Sequence, residues 1–130
     1  MVETEPCGKV VHYSSVKAEP VSPDMATATR IRWLIGPSDE PPLFYMRMFE
    51  VDPGGHINAH FHPWEHEIYV LEGSGRVRIG GRIHEVRAGY VVFIPPNVEH
   101  EYWAGDEGLR FLCMIPKEPT AEKRDEPIQC

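Results

Sequence analysis

The chain has 130 residues, enough for one hydrophobic core and too few for two comfortable domains. With 13 basic against 20 acidic residues its formal charge is -7, and no run of Lys or Arg forms a phosphate-tracking stripe, which argues against nucleic acid as a partner. The acidic opening Met1-Val2-Glu3-Thr4-Glu5-Pro6 lacks the basic-then-apolar order of a signal peptide. No stretch approaches the ~20 apolar residues of a membrane span, so the expectation is a soluble, cytoplasmic protein with no membrane partner.

In chain order, 11 Gly and 13 Pro cut the sequence into short runs with an all-β rhythm. Residues 1–29 read as an N-terminal arm, with a short turn of helix expected within 17–29. Strands are expected at 30–35, 44–51, 59–62, 66–71, 75–79, 82–87, 91–94, 100–103 and 109–115. The clearest hairpin runs from Arg76 to Val86 about Gly80-Gly81, whose glycines can take the positive φ of a two-residue primed turn. Its apolar residues Val77, Ile79, Ile83 and Val86 face a core only approximately in register, so a bulge is expected near Glu85. Residues 117–130 are charged, hold two prolines and read as a loose tail. Cys7, Cys113 and Cys130 form neither an even-numbered framework nor a CxxC pair and are expected as reduced thiols.

The chemistry gathers in His60-Phe61-His62-Pro63-Trp64-Glu65-His66, followed by His100 beyond the Pro95-Pro96-Asn97 turn. Side chains at i and i+2 on a strand share a face, so His60 and His62 point the same way, and His66 joins them if the Pro63-Trp64 corner keeps parity. On that parity Ile68 and Val70 continue inward, and Glu65, Glu67 and Tyr69 face outward. Imidazole offers a nitrogen lone pair at pH 7, and a convergent set suits a borderline divalent metal. His12, His56 and His84 read as surface histidines, and Trp64 and Trp103 as packing or dimer-contact aromatics.

These motifs resemble those of the cupins, over about residues 33–116. The first cupin motif, G-x5-H-x-H-x3-E-x6-G, falls on Gly54, His60, His62, position 66 and Gly73. The second, G-x5-P-x-G-x2-H-x3-N, falls on Gly89, Pro95, position 97 and His100. Both spacings hold, while His66 stands in place of Glu, Asn97 in place of Gly and Ala104 in place of Asn. A variant spacing of the motif would make Glu67 the third ligand, but its distance to Gly73 is then one residue short, so His66 is favoured. The resemblance implies a double-stranded β-helix, or jelly-roll barrel, over 30–116, one divalent metal on His60, His62, His66 and His100, and a homodimer; residues 10–35 hold enough apolar side chains to add strands to a neighbour's sheet or to pack internally. Manganese leads on resemblance, and imidazole donors equally admit iron, nickel, copper or zinc. Loss of metal is expected on acidification toward the imidazole pKa of ~6.5 or below.

Arg47 lies in a strand apolar on both faces, so it reads either as a solvent-facing Arg or as a pocket Arg gripping a substrate carboxylate or enolate. Cys113 reads as a small buried hydrophobe before a reactive thiol, sharing one face with Phe111 and Ile115. Ile57, Phe93 and Tyr102 complete the expected pocket. The leading expectation is an oxidoreductase of the dioxygenase kind, acting with O2 on a small organic molecule. A redox-neutral lyase or isomerase on the same metal is the second, and a non-enzymatic binding module the third.

Overall fold

The structure is a computed structural model that describes residues 7–130; the opening Met1-Val2-Glu3-Thr4-Glu5-Pro6 lies outside them. Seven strands follow in order: β1 (Glu19–Pro20), β2 (Ala26–Ile35), β3 (Phe44–His60), β4 (His66–Ile79), β5 (Arg82–Arg87), β6 (Val91–Ile94) and β7 (His100–Pro116). The described residues contain single 3-10 turns at Tyr13–Ser15 and Pro37–Asp39, and no helix long and apolar enough to cross a membrane. All pairings are antiparallel, in the order β1-β2-β3-β7-β4-β5, with β6 on the free side of β4. This is the expected all-β jelly-roll architecture, an open sheet curled around one core.

The core is the inner face of that curl. Phe111, Cys113 and Ile115 alternate inward on β7, Ile68 and Val70 on β4, and Val92 and Ile94 on β6, all at most 8 % exposed. Strands β3, β4 and β7 are longer than the expected runs because glycine and proline bend them without ending them. Register shifts fall between Val51 and His56 and between Gly73 and Gly75, so the runs on either side belong to one strand. Gly73 is required there: its φ is 81°, and a Cβ would overlap the backbone of Gly108 on β7.

Other expectations give way to local pairing. Residues 17–29 hold β1, a single hydrogen-bonded turn in which the Met25 and Ala26 N–H groups donate to the Ser22 carbonyl (2.9 and 3.0 Å), and the start of β2, so the expected turn is one turn that goes no further. The Arg76–Val86 hairpin pairs without interruption, and only Gly80 takes positive φ (57°), the pattern of a II′ turn. Lacking a bulge near Glu85, Ile83 and Val86 have opposite parity; Val86 is buried and Ile83 is 56 % exposed. The arm packs on its own chain: β1 pairs with β2, the Arg110 Nη1 donates to the Tyr13 hydroxyl (3.0 Å), and Arg32 lies over the same ring.

The C-terminal segment is docked by backbone bonds, not loose. The Thr120 and Ala121 N–H groups donate to the Pro63 carbonyl (2.9 and 3.1 Å), Ile128 N–H to the Asn97 carbonyl (2.8 Å) and Gly81 N–H to the Cys130 carbonyl (3.2 Å). Asn97 is the hub: its N–H donates to the His62 carbonyl (2.8 Å), and its Nδ2 to the Glu122 carbonyl (2.9 Å). Its φ of 64° is one that Gly or Asn takes readily. Asn97→Gly keeps that backbone and deletes the amide bond, so it should cost about 1 kcal/mol more in the full chain than in a chain ending at Lys117, where Glu122 is gone. Urea unfolding of the four proteins measures the difference, and equal costs would show that Asn97 does not hold the tail.

Candidate metal centre

The end of β3 delivers His60, the following corner His62, the first residue of β4 His66 and the first residue of β7 His100. His60 and His100 are cross-strand partners, and their rings meet edge to face at 4.3 Å. One nitrogen from each of the four imidazoles lies within 4.8 Å of those of the others. His66 and His100 are 5 % and 1 % exposed, so the deep half of the cluster is closed to water.

Backbone carbonyls fix the tautomers. The Nδ1 of His60 faces the Asn58 carbonyl (2.7 Å), that of His62 the Trp64 carbonyl (2.9 Å) and that of His100 the Val98 carbonyl (2.9 Å). A carbonyl only accepts, so each Nδ1 carries the proton and each Nε2 keeps its lone pair. The His66 Nδ1 meets the Cys113 Sγ at 2.9 Å, an acceptor that lets His66 hold the same tautomer. The Nε2 atoms of His62 and His66 are 2.8 Å apart, and the buried Nε2 of His100 has no hydrogen-bond partner. An orphaned buried acceptor costs roughly 1–3 kcal/mol, and a divalent cation at the centre of four lone pairs removes that cost. The residues therefore fit a divalent metal site.

Burial sets the electrostatics. It pulls His62 down to about 4 and His100 down to about 3, with the neighbouring His60 adding to both, and it pushes His66 lower still, helped by His100 and Arg47. Proton competition for His62 and His100 thus sets in well below the free-imidazole range. Burial also raises the Cys113 thiol against the pull of Arg47, and lifts the Tyr102 phenol well above its ordinary range. Cys113 is a thiol at neutral pH.

The cluster opens on a cavity of about 140 Å³. It is lined by His60, His62 and His66, by Arg47 and Phe49 of β3, by Ile57, Tyr102 and Phe111, and by Val21 and Met25 of the β1–β2 connection with Ala26 at the start of β2. A larger groove of about 510 Å³, bounded by Ser74, Arg76, Glu85 and Asp106, includes none of the four histidines. Arg47 shares the inner face: its Nη2 donates to the Cys113 Sγ (3.1 Å) and lies 3.4 Å from the His66 Nδ1. Cys113 and Ile115 are buried behind the wall and do not line it. Phe93, expected in the pocket, is 56 % exposed on the outer face, because Val92 and Ile94 take the inward positions of β6. Glu67 faces outward between Phe93 and Met114, where burial and the neighbouring Glu65 raise its carboxyl to about 7. His56 is not a plain surface histidine: its Nε2 meets the Glu101 Oε2 at 2.6 Å, and its ring stacks on Trp103.

The sequence reading missed the cavity's lining by Val21, Met25, Ala26 and Thr29, which carry no motif, and the site roles of Trp64 and Phe49. Trp64 stacks on the His62 ring at 4.0 Å and 8°, and Phe49 lies 5.0 Å beneath the Arg47 guanidinium. Phe49 is two residues from Arg47, so the parity that places Arg47 inward places it too.

A jelly-roll with four convergent imidazoles at its mouth defines a metal-binding cupin barrel. The cupin-domain family (Cupin_2) matches residues 47–115, and the chain belongs to that family. It is 39 % identical over 88 residues to the dimethylsulfoniopropionate lyase DddW of Ruegeria pomeroyi, covering 65 % of this chain and 58 % of that one. It is 37 % identical over 83 residues to the 1-methylthio-D-xylulose 5-phosphate methylsulfurylase of Rhodospirillum rubrum, covering 63 % and 50 %. The chain thus spans little more than half the length of these two relatives. Among solved structures, the polyketide cyclase RemF of Streptomyces resistomycificus superposes with a TM-score of 0.79 at 41 % identity, covering 90 % of this chain and 84 % of that one.

Removal of the third imidazole tests the ligand set: His66→Ala should abolish stoichiometric metal in mass spectrometry of the purified protein, and Glu67→Ala should retain it. The reverse result would move the third ligand to Glu67. The metal-free protein should also lose stability as the pH falls from ~6.5 toward about 4. In that window the unfolded chain takes up protons that the buried imidazoles refuse, by up to about a tenfold loss in folding equilibrium per pH unit for each group. Urea melts across the range give the slope, and a flat profile would contradict the burial.

Proposed function

We propose that this chain is a metal-dependent enzyme for redox-neutral chemistry on an enolisable carbonyl compound, of the lyase or cyclase kind. The observation that carries the reading is the four-imidazole cluster, with its orphaned His100 Nε2, opening on a small apolar cavity. A divalent ion held by His60, His62, His66 and His100 supplies Lewis acidity. Manganese is the first candidate on family resemblance, and the donor set leaves iron, nickel, copper and zinc to be compared.

The chain's own residues then have definite work. Phe49, Ile57, Tyr102 and Phe111 exclude water from the reacting carbon, and Arg47 holds negative charge on oxygen. Among the described residues no Asp or Glu lines the cavity, and the Tyr102 phenol, kept protonated by burial, is the wall group able to give up a proton to a leaving or newly formed alkoxide. In elimination a solvent hydroxide takes the proton from the carbon beside the carbonyl, the C–H pair becomes the new C=C bond, and the leaving group departs with the C–X electron pair, an anionic one taking the Tyr102 proton that water then restores. In cyclisation the same carbon attacks a second carbonyl, whose oxygen takes the proton. Neither route needs an oxidant. The names of two relatives, a lyase and a polyketide cyclase, support this class over the dioxygenase expected from the metal site alone.

The test is turnover of dimethylsulfoniopropionate and of a synthetic β-triketone by metal-replete protein, in air and under strict anaerobiosis. Equal rates in both, lost in His66→Ala, are expected. Product formation that stops without O2 and consumes it in step would reinstate the dioxygenase, and tight binding without turnover would leave a binding module.

A further inference from the structure

We infer that Arg47 makes the cavity a carboxylate subsite, selecting a small organic anion whose enclosed part is no larger than a single ring; this rests on the reading of the cavity as the substrate site. Arg47 is held from several sides. Its guanidinium lies 5.0 Å from the Phe49 ring centroid and 5.6 Å from that of Trp33, and its Nη2 donates to the Cys113 thiol. Its Nε is buried with no partner.

What it lacks is a counter-charge. Arg30, Arg32, Arg78, Arg110 and Lys9 each reach a carboxylate within 4.0 Å, whereas no ion pair is found for Arg47 among the described residues. No acidic side chain lines the cavity either. A cation beside apolar walls is costly to keep unless something neutralises it, and a neutral thiol accepts a hydrogen bond without cancelling charge. The planar fork of a guanidinium suits the two oxygens of a carboxylate, which a point-charge Lys would not match. Size narrows the class further. The cavity is about 140 Å³, and a dry cavity of ~150 Å³ holds benzene. A benzoate-like ring or a short branched chain therefore fits inside, and a larger substrate would enter by its carboxylate-bearing end.

Benzoate and its neutral counterpart benzamide are the probes, titrated calorimetrically into metal-replete protein, chelator-stripped protein, and the Arg47→Met and Arg47→Lys variants with metal content measured. Benzoate should bind about tenfold or more tightly than benzamide to the wild type, with or without metal. Arg47→Met should erase that preference while retaining the metal, and Arg47→Lys should keep part of it. Equal binding of benzoate and benzamide by the stripped wild type, or unchanged benzoate affinity in metal-loaded Arg47→Met, would overturn the inference. The stripped wild type decides even where a variant fails to fold. Anaerobic turnover without any benzoate binding would sink the subsite and keep the reaction class, whereas Arg47-dependent benzoate binding without turnover would do the reverse.

Discussion

Cross-strand pairing on β7 is the constraint from which the site follows. Residues directly opposite in an antiparallel ladder share a face, and β7 lies between β3 and β4. Its partners on β3 are His60 for His100, Arg47 for Cys113 and Phe49 for Phe111. On β4, Ile68 lies opposite Cys113 and Val70 opposite Phe111. Parity thus fixes the site in two stretches: Arg47, Phe49, Phe111 and Cys113 share one alternation, His60, His100 and Tyr102 another, and the register shifts between them change the phase so that both point inward. A one-residue slip of 109–115 would send Phe111 and Cys113 outward, so their burial, at 2 % and 1 %, enforces the stretch opposite Arg47, and the burial of Tyr102 does the same for His100.

The same burial gives the site its electrical character. His62, His66 and His100 sit where desolvation favours their neutral form, and the acidic residues near them in sequence, Glu65 and Glu67, are turned away by strand alternation. An otherwise acidic chain therefore keeps a small pocket without negative charge, furnished with one arginine and lone pairs for a cation. The other arginines are differently placed: Arg30, Arg32, Arg78 and Arg110 are paired with carboxylates, and Arg76, Arg82, Arg87 and Arg124, which show no ion pair among the described residues, are exposed to water. The contrast between these paired arginines and Arg47 marks the difference between holding the sheet and holding a ligand.

Spacing and parity made the clustered histidines legible in the sequence, because a period of two is displayed there directly, and the jelly-roll came with the resemblance to the cupin motifs. What sequence does not display is whether a glycine or proline ends a strand or bends it. Pro53-Gly54-Gly55 and Gly73 look like terminators and act as bends, since only the curl of the whole sheet decides how far pairing continues. Parity also fails where both faces are apolar. Val91-Val92-Phe93-Ile94 has no polar marker, so Phe93 can be assigned inward by residue type alone, and the ladder to His66 and Ile68 assigns it outward. Arg47 was ambiguous for the same reason, its neighbours Met46 and Met48 giving no sign of which side met the core.

The C-terminal segment shows the limit of composition as a guide to order. Its side chains are almost all exposed and half of them are charged, which reads as a tail, yet its backbone donors and acceptors are used by Pro63, Asn97 and Gly81. Those residues lie in the corner between His62 and His66, in the turn before His100, and at the tip of the hairpin that pairs with His100. The segment therefore ties together backbone elements that carry three of the four imidazoles, using main-chain bonds that no residue pattern reveals. Asn97 is where the link becomes visible. A glycine at this position would satisfy the left-handed turn alone, whereas asparagine satisfies the turn and also reaches the Glu122 carbonyl. Its departure from the family motif is therefore a second use of the same backbone conformation, joining the tail to the metal-bearing turns.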